Sequence, residues 1–375
     1  MMTTRILKAA LLAATLLAPA LPAMAADVAI GAAAPMTGPR ALLGRNFRQG
    51  VDMAVEEINA AGGVLGGKLS VQIEDDMGDN PNAAINAVTK LMQVEKVPLM
   101  LGPHYSVAQL ATQKIYCDGS IISVTGASGV PVTKNGCNFV IRVRANDIIQ
   151  SKALVEYARA TLGIDKIGVL YINDDFGKAG ADRVVLALKD AGLEPVAVET
   201  HNTQDKDFSA QLAKLQNAGA ELTIMWTHDT EAALIVRQAQ QLGLDMKFAG
   251  STSLSEPSFV KLAGPAAEGV ISANDFVASN SDETIQKFVK AYEAKYSMGP
   301  EIWAAAYYDA THLAAKAINA AGSSDPAKVR EAFKTVDHEG LLGKYRCEEN
   351  GDCNHQIHIV TVKDGVPGVA STVKF

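Results

Sequence analysis

The chain lacks nearly every short motif that announces catalysis. There is no G-x-x-x-x-G-K-S/T loop for a nucleotide phosphate and no G-x-G-x-x-G after the first predicted strand. H-E-x-x-H and G-x-S-x-G are missing too. These absences exclude P-loop, dinucleotide-fingerprint, zincin and nucleophile-elbow chemistry in their usual forms. Gly126-Ala127-Ser128-Gly129 comes nearest to the elbow, but no residue stands between Ser128 and Gly129. His104 or His228 could serve such a serine as base, yet any chain of this length offers that much. No enzyme activity, cofactor or metal is therefore expected. Positive charge is also short: the formal charge is −7, which argues against a nucleic-acid partner, whose phosphates need a basic face. After Asp27 no stretch offers the roughly twenty predominantly apolar residues that cross a bilayer.

What is present begins with a leader. Arg5 and Lys8 precede an apolar run from Ala9 to Leu21, followed by Ala23-Met24-Ala25, a small-x-small cleavage site. Residues 1–26 are expected to be a cleaved signal peptide, and the mature chain a soluble periplasmic protein. Losing Arg5 and Lys8 moves the formal charge to −9. The remaining length exceeds one ordinary hydrophobic core and suits two lobes. With 48% hydrophobic and 20% charged residues, the composition is that of an ordinary globular protein.

Only four cysteines occur, Cys117, Cys137, Cys347 and Cys353. An even number in an oxidising compartment points to disulfides; four allow three pairings, and proximity favours Cys117 with Cys137 and Cys347 with Cys353. Asn350-Gly351 reads as a two-residue hairpin turn between the second pair. Cys347, Cys353, His355 and His358 cluster, but their spacing does not fit a zinc finger, and histidines three apart on a strand face opposite sides.

Short β-branched runs alternate with helical periods, the pattern of parallel βαβ units. Strands are expected at 28–33, 69–75, 97–101, 121–125 and 139–142, and in a second series at 167–172, 194–199, 222–226, 247–250 and 269–273. Phe47, Val51, Val55 and Ile58 share a helical face that Gly62-Gly63 terminates. In the second series a helix is expected from Ala179 to Ala191. The fold class that follows is α/β, with two doubly wound, Rossmann-like lobes.

Two strand-to-helix turns at one sheet edge could hold an anion. Gly102-Pro103-His104-Tyr105-Ser106 places Ser106 as an N-cap hydroxyl beside free N–H groups of a helix start, where it either receives a ligand carboxylate or caps its own helix. Thr125-Gly126-Ala127-Ser128-Gly129 follows the next strand and would set the main chain of Ala127 and Gly129, with the Ser128 hydroxyl, alongside.

These residues, with Ala34-Pro35-Met36-Thr37-Gly38-Pro39, Glu56 to Gly63, Asp75-Asp76, Asn138 to Arg142, Asp175-Phe176-Gly177, Lys206-Asp207-Phe208, Arg237-Gln238-Ala239 and Tyr308-Asp309-Ala310, occur in a telling order. In that order the chain resembles the periplasmic leucine/isoleucine/valine-binding proteins over essentially its whole mature length. The resemblance implies a type I periplasmic binding protein: a monomeric component of an ABC importer that clamps a small carboxylate ligand between lobes and engages an inner-membrane permease. It implies lobes of 27–146 plus 275–356 and 147–274 plus 357–375, with a three-crossover hinge near Asn146, Asn274 and Gln356. It also implies first-lobe ligand contacts at Ser106, Ala127 and Gly129, and second-lobe contacts at Phe176, His228 and Thr252. Two positions depart from the family: Gly129 replaces a threonine, and Thr252 stands where a glutamate pairs with the ligand ammonium. Asp229 could substitute for that glutamate. Leu43, Tyr105, Phe176, Trp226, His228 and Trp303 would give a more aromatic lining, although core packing accounts for both tryptophans. An aromatic or other amine-free acid is thus the alternative ligand, and a periplasmic sensor the alternative role.

Overall fold

A computed structural model describes residues 26–134 and 136–374. All but the last residue of the expected leader lies outside the described residues. The first series of elements is β1 (Val28–Ala34), α1 (Ala41–Ala60), β2 (Leu69–Asp75), α2 (Pro81–Gln93), β3 (Leu99–Leu101), α3 (Ser106–Gly119), β4 (Ile122–Thr125) and β5 (Val140–Arg142). The second is α4 (Asp147–Ala160), β6 (Ile167–Ile172), α5 (Asp175–Asp190), β7 (Val198–His201), α6 (Ser209–Asn217), β8 (Leu222–Trp226), α7 (Asp229–Gln241), β9 (Lys247–Gly250), α8 (Pro257–Ala263) and β10 (Ile271–Asn274). Three helices follow, α9 (Glu283–Tyr296), α10 (Ile302–Ala321) and α11 (Pro326–Phe333). The chain closes with β11 (His338–Glu339), β12 (Lys344–Cys347), β13 (Cys353–Asn354), β14 (Ile357–Lys363) and β15 (Val366–Val373). Among the described residues, no helix is long and apolar enough to cross a membrane.

The strands form two large sheets, as the βα rhythm predicts. The first, all parallel, has the order β2-β1-β3-β4-β5; the second runs β15-β14-β10-β9-β8-β6-β7, with β14 and β15 antiparallel. Their central strands are buried on two faces, because successive side chains enter opposite cores. In β1, Ile30 and Ala32 join one core while Ala33 joins another. In β8, Ile224 and Trp226 enter one core and Met225 the other. Helices α9 to α11 return to the first sheet, and α10 packs along α1. That approach needs Gly50, where an added Cβ would lie 2.1 Å from the Ala304 carbonyl oxygen.

Helix starts follow local chemistry. Asn80, Asn146, Asp174 and Asp282 each accept hydrogen bonds from first-turn N–H groups of α2, α4, α5 and α9. The Asp174 cap starts α5 four residues before the expected Ala179, so Phe176 belongs to the first helical turn rather than a loop. The edge strand β7 lies at Val198–His201, not 194–199, its register fixed by Val169 opposite Val198. Cys117 pairs with Cys137 and Cys347 with Cys353. The second hairpin turns over Glu348–Asp352, with the Gly351 N–H donating to the Glu348 carbonyl, instead of through a two-residue Asn350-Gly351 turn.

Candidate functional site

In each sheet the strand order reverses once within the parallel part, between β1 and β3 and between β6 and β8. Loops leaving the carboxyl ends of strands diverge at such switch points and leave a crevice. Here the loops after β3 and β4 meet those after β6, β8 and β9 around one cavity of about 50 Å3, room for about four waters.

The first-sheet wall consists of Leu43, His104, Tyr105, Ser106, Gly126, Ser128 and Trp303. Ser106 is the first residue of α3, and its Oγ accepts from the Gly129 N–H at 3.1 Å. It therefore does not cap its own helix. Gly129 leaves room for this: an added Cβ would stand 2.9 Å from that oxygen. Beneath the loop, the fully buried Arg142 donates to the carbonyls of Ser128 (3.0 Å) and Gly129 (2.6 Å) and to Asp352 at 2.7 Å, fixing its course. The Ala127 N–H donates to Thr125 Oγ1. The main-chain donors expected at Ala127 and Gly129 are thus engaged within the first lobe here, and neither residue reaches the lining. His104 stacks on Trp303 at 3.6 Å, and its Nε2 accepts from Arg144 at 3.2 Å. Burial, with the Arg144 charge, holds His104 far below its ordinary pKa and keeps it neutral.

From the second sheet come Phe176, His228, Asp229, Ser251, Thr252, Ser253 and Glu256. His228 stacks on Phe176 at 5.0 Å and donates from Nε2 to Asp174 at 3.2 Å. Burial alone would raise the Asp174 carboxyl, but His228 and the helix N–H groups outweigh it and lower it. No hydrogen bond among the described residues joins Ser128 to either histidine ring.

Two arginines fasten the walls. Arg40, just ahead of α1, donates to Asp229 at 2.6 Å and lies 3.7 Å from Asp79. Arg144, beyond β5, donates to Asp275 at 2.8 Å and to Thr252 Oγ1 at 2.7 Å. Burial opposes the Asp275 charge, yet Arg144 and His355 prevail and hold it down to about 2.

A family model described as periplasmic binding protein matches residues 27–367. The chain belongs to that family. It is 32% identical over 331 residues to the leucine-, isoleucine-, valine-, threonine- and alanine-binding protein of Pseudomonas aeruginosa, covering 88% of each chain. Its structure is similar to that of a leucine-binding protein from Thermotoga maritima, with TM-score 0.85 and 29% identity, covering 92% of this chain and 99% of that one. It is also similar to a branched-chain amino acid transporter substrate-binding protein from Streptococcus pneumoniae solved with isoleucine, at TM-score 0.84 and 26% identity over 93% and 100% of the two chains. The two-lobe α/β fold is therefore that of type I periplasmic binding proteins.

Of the expected site residues, the cavity gathers Leu43, Tyr105, Ser106, Ser128, Phe176, His228 and Thr252. Trp226 stays in the core, 0% exposed, with its ring 6.4 Å from Phe176. Trp303, read as core, is buried and lines the cavity as well. Arg40, Arg144, Gln150 and Glu256 were missed. A signal existed for Arg144, an arginine inside the buried run 140–145, and for Glu256, the residue before a proline that opens a helix.

Proposed function

We propose that this periplasmic binding protein is the exported solute-binding component of an ABC importer of the branched-chain amino acid family. It closes two lobes over a small carboxylate ligand, does not transform it, and acts as a monomer that presents the closed form to an inner-membrane permease. The observation that carries this reading is the cavity at the meeting of both switch points, lined from both sheets and bridged by Arg40 and Arg144. The names and ligands of the relatives support it. The lobes would comprise 27–146 plus 275–356 and 147–274 plus 357–375. Ligand would dock on the hydroxyls of Ser106 and Ser128 beside Tyr105 and Leu43, over the loop of Ala127 and Gly129. It would then recruit Phe176, His228 and Thr252 as the hinge at Asn146, Asn274 and Gln356 closes.

The test is a thermal-shift screen of the refolded, ligand-stripped mature chain against aliphatic amino acids and against aromatic carboxylates. A ligand that binds only the native state raises the melting temperature by mass action. A shift with either panel is the expected result, and none with any member would overturn the reading.

A further inference from the structure

The charges around the cavity do not balance within the protein. Arg40 is committed to Asp229 and Asp79, and Arg144 to Asp275. Thr252 is saturated as well, since its Oγ1 accepts from Arg144 and donates to the Ala273 carbonyl at 3.0 Å. Glu256 lines the same cavity and is only 6% exposed. It precedes α8 but its side chain caps nothing, and among the described residues its carboxyl has no hydrogen-bond or ion-pair partner. A buried carboxylate left alone is unfavourable. Burial accordingly drives its protonation well upward, with Asp229 and Glu301 adding to the effect and Arg144 and Arg40 opposing it.

We propose that Glu256 is the partner of a cationic group on the ligand, so that the site selects α-amino acids over amine-free acids of the same skeleton. This deepens the carboxylate-binding reading and rests on it. Uncharged donors on the opposite wall, Ser106 and Ser128, suit a carboxylate that arrives with its own counter-charge. Asp229 cannot take the role, because Arg40 already holds it at 2.6 Å. Nor can Thr252, which has no charge and no free hydroxyl proton.

The test is calorimetry on the stripped chain with leucine, alanine and phenylalanine, each beside its deaminated acid: 4-methylpentanoate, propanoate and 3-phenylpropanoate. For the amino acid that binds, the wild type should prefer the amine-bearing form by about 100-fold, the scale of a buried charge contact. Glu256→Gln should lose about that factor for the amino acid, stay within about twofold for the deaminated acid, and so abolish the preference. Unliganded Glu256→Gln should melt no lower than wild type, which separates lost binding from lost folding. Undiminished amino-acid affinity in the variant would overturn the assignment. Binding of amine-free acids alone would overturn it while leaving the carboxylate-binding reading intact, and binding of neither class would overturn both.

Discussion

The two walls of the cavity are built from different chemistry. The first-sheet wall presents the Ser106 and Ser128 hydroxyls and the His104, Tyr105 and Trp303 rings, and its histidine is held neutral. The second-sheet wall presents Asp229 and Glu256 together with His228. Arginines from first-sheet segments are used up on acids: Arg40 reaches Asp229 on the far wall, and Arg144 holds Asp275 while touching Thr252. Cations therefore fasten the protein to itself, neutral donors are left to the ligand on one side, and one carboxyl is left to it on the other. A site built this way can dock a carboxylate on one lobe and read the rest of the ligand with the other.

If the arginines are structural fasteners, removing one should affect stability more than recognition. Arg144→Leu takes from Asp275, 0% exposed, its arginine partner and leaves it the Ala145 N–H at 3.2 Å and the His355 ring at 3.4 Å. Breaking a buried pair by removing one partner should lower unfolding stability by about 3 kcal/mol in urea titrations. Adding Asp275→Asn should return part of that loss, since the two residues are coupled. Equal stability of Arg144→Leu and wild type would place Arg144 among the ligand contacts instead.

Arg40 joins the walls, so its removal should register chiefly in binding. Asp229 is 7% exposed, and without Arg40 it would be buried with no ion-pair partner among the described residues. Arg40→Met is expected to weaken ligand affinity about tenfold, near 1.4 kcal/mol, read by calorimetry. An unchanged affinity would mean that this pair contributes nothing to closure.

Much of this was legible in the sequence because it is local. The strands 167–172, 222–226 and 247–250 have the expected bounds, since each is a largely buried run with clear stops. The edge strand β7 was misplaced because only one neighbour, β6, fixes its register, and its exposed face leaves no hydrophobic alternation to read. The first-lobe hydroxyls were found because they lie in turns after strands. Arg40 and Arg144 were not, because their role depends on partners 189 and 131 residues away in the chain, and Glu256 was not, because what sets it apart is that its carboxyl has no partner among the described residues. No short window records that one acid has a cation and another lacks one.

The smallest expected effect discriminates best between the walls. Ser106→Ala removes a hydroxyl that accepts from the Gly129 N–H and has a proton free for the ligand. Losing one such hydrogen bond is worth about 1 kcal/mol, or about fivefold in affinity. Because Ser106 belongs to the carboxylate side, that factor should be the same for an amino acid and for its deaminated acid, whereas Glu256→Gln should separate them. A Ser106→Ala loss confined to amino acids would place the ammonium at the first wall and reverse the division of labour argued here.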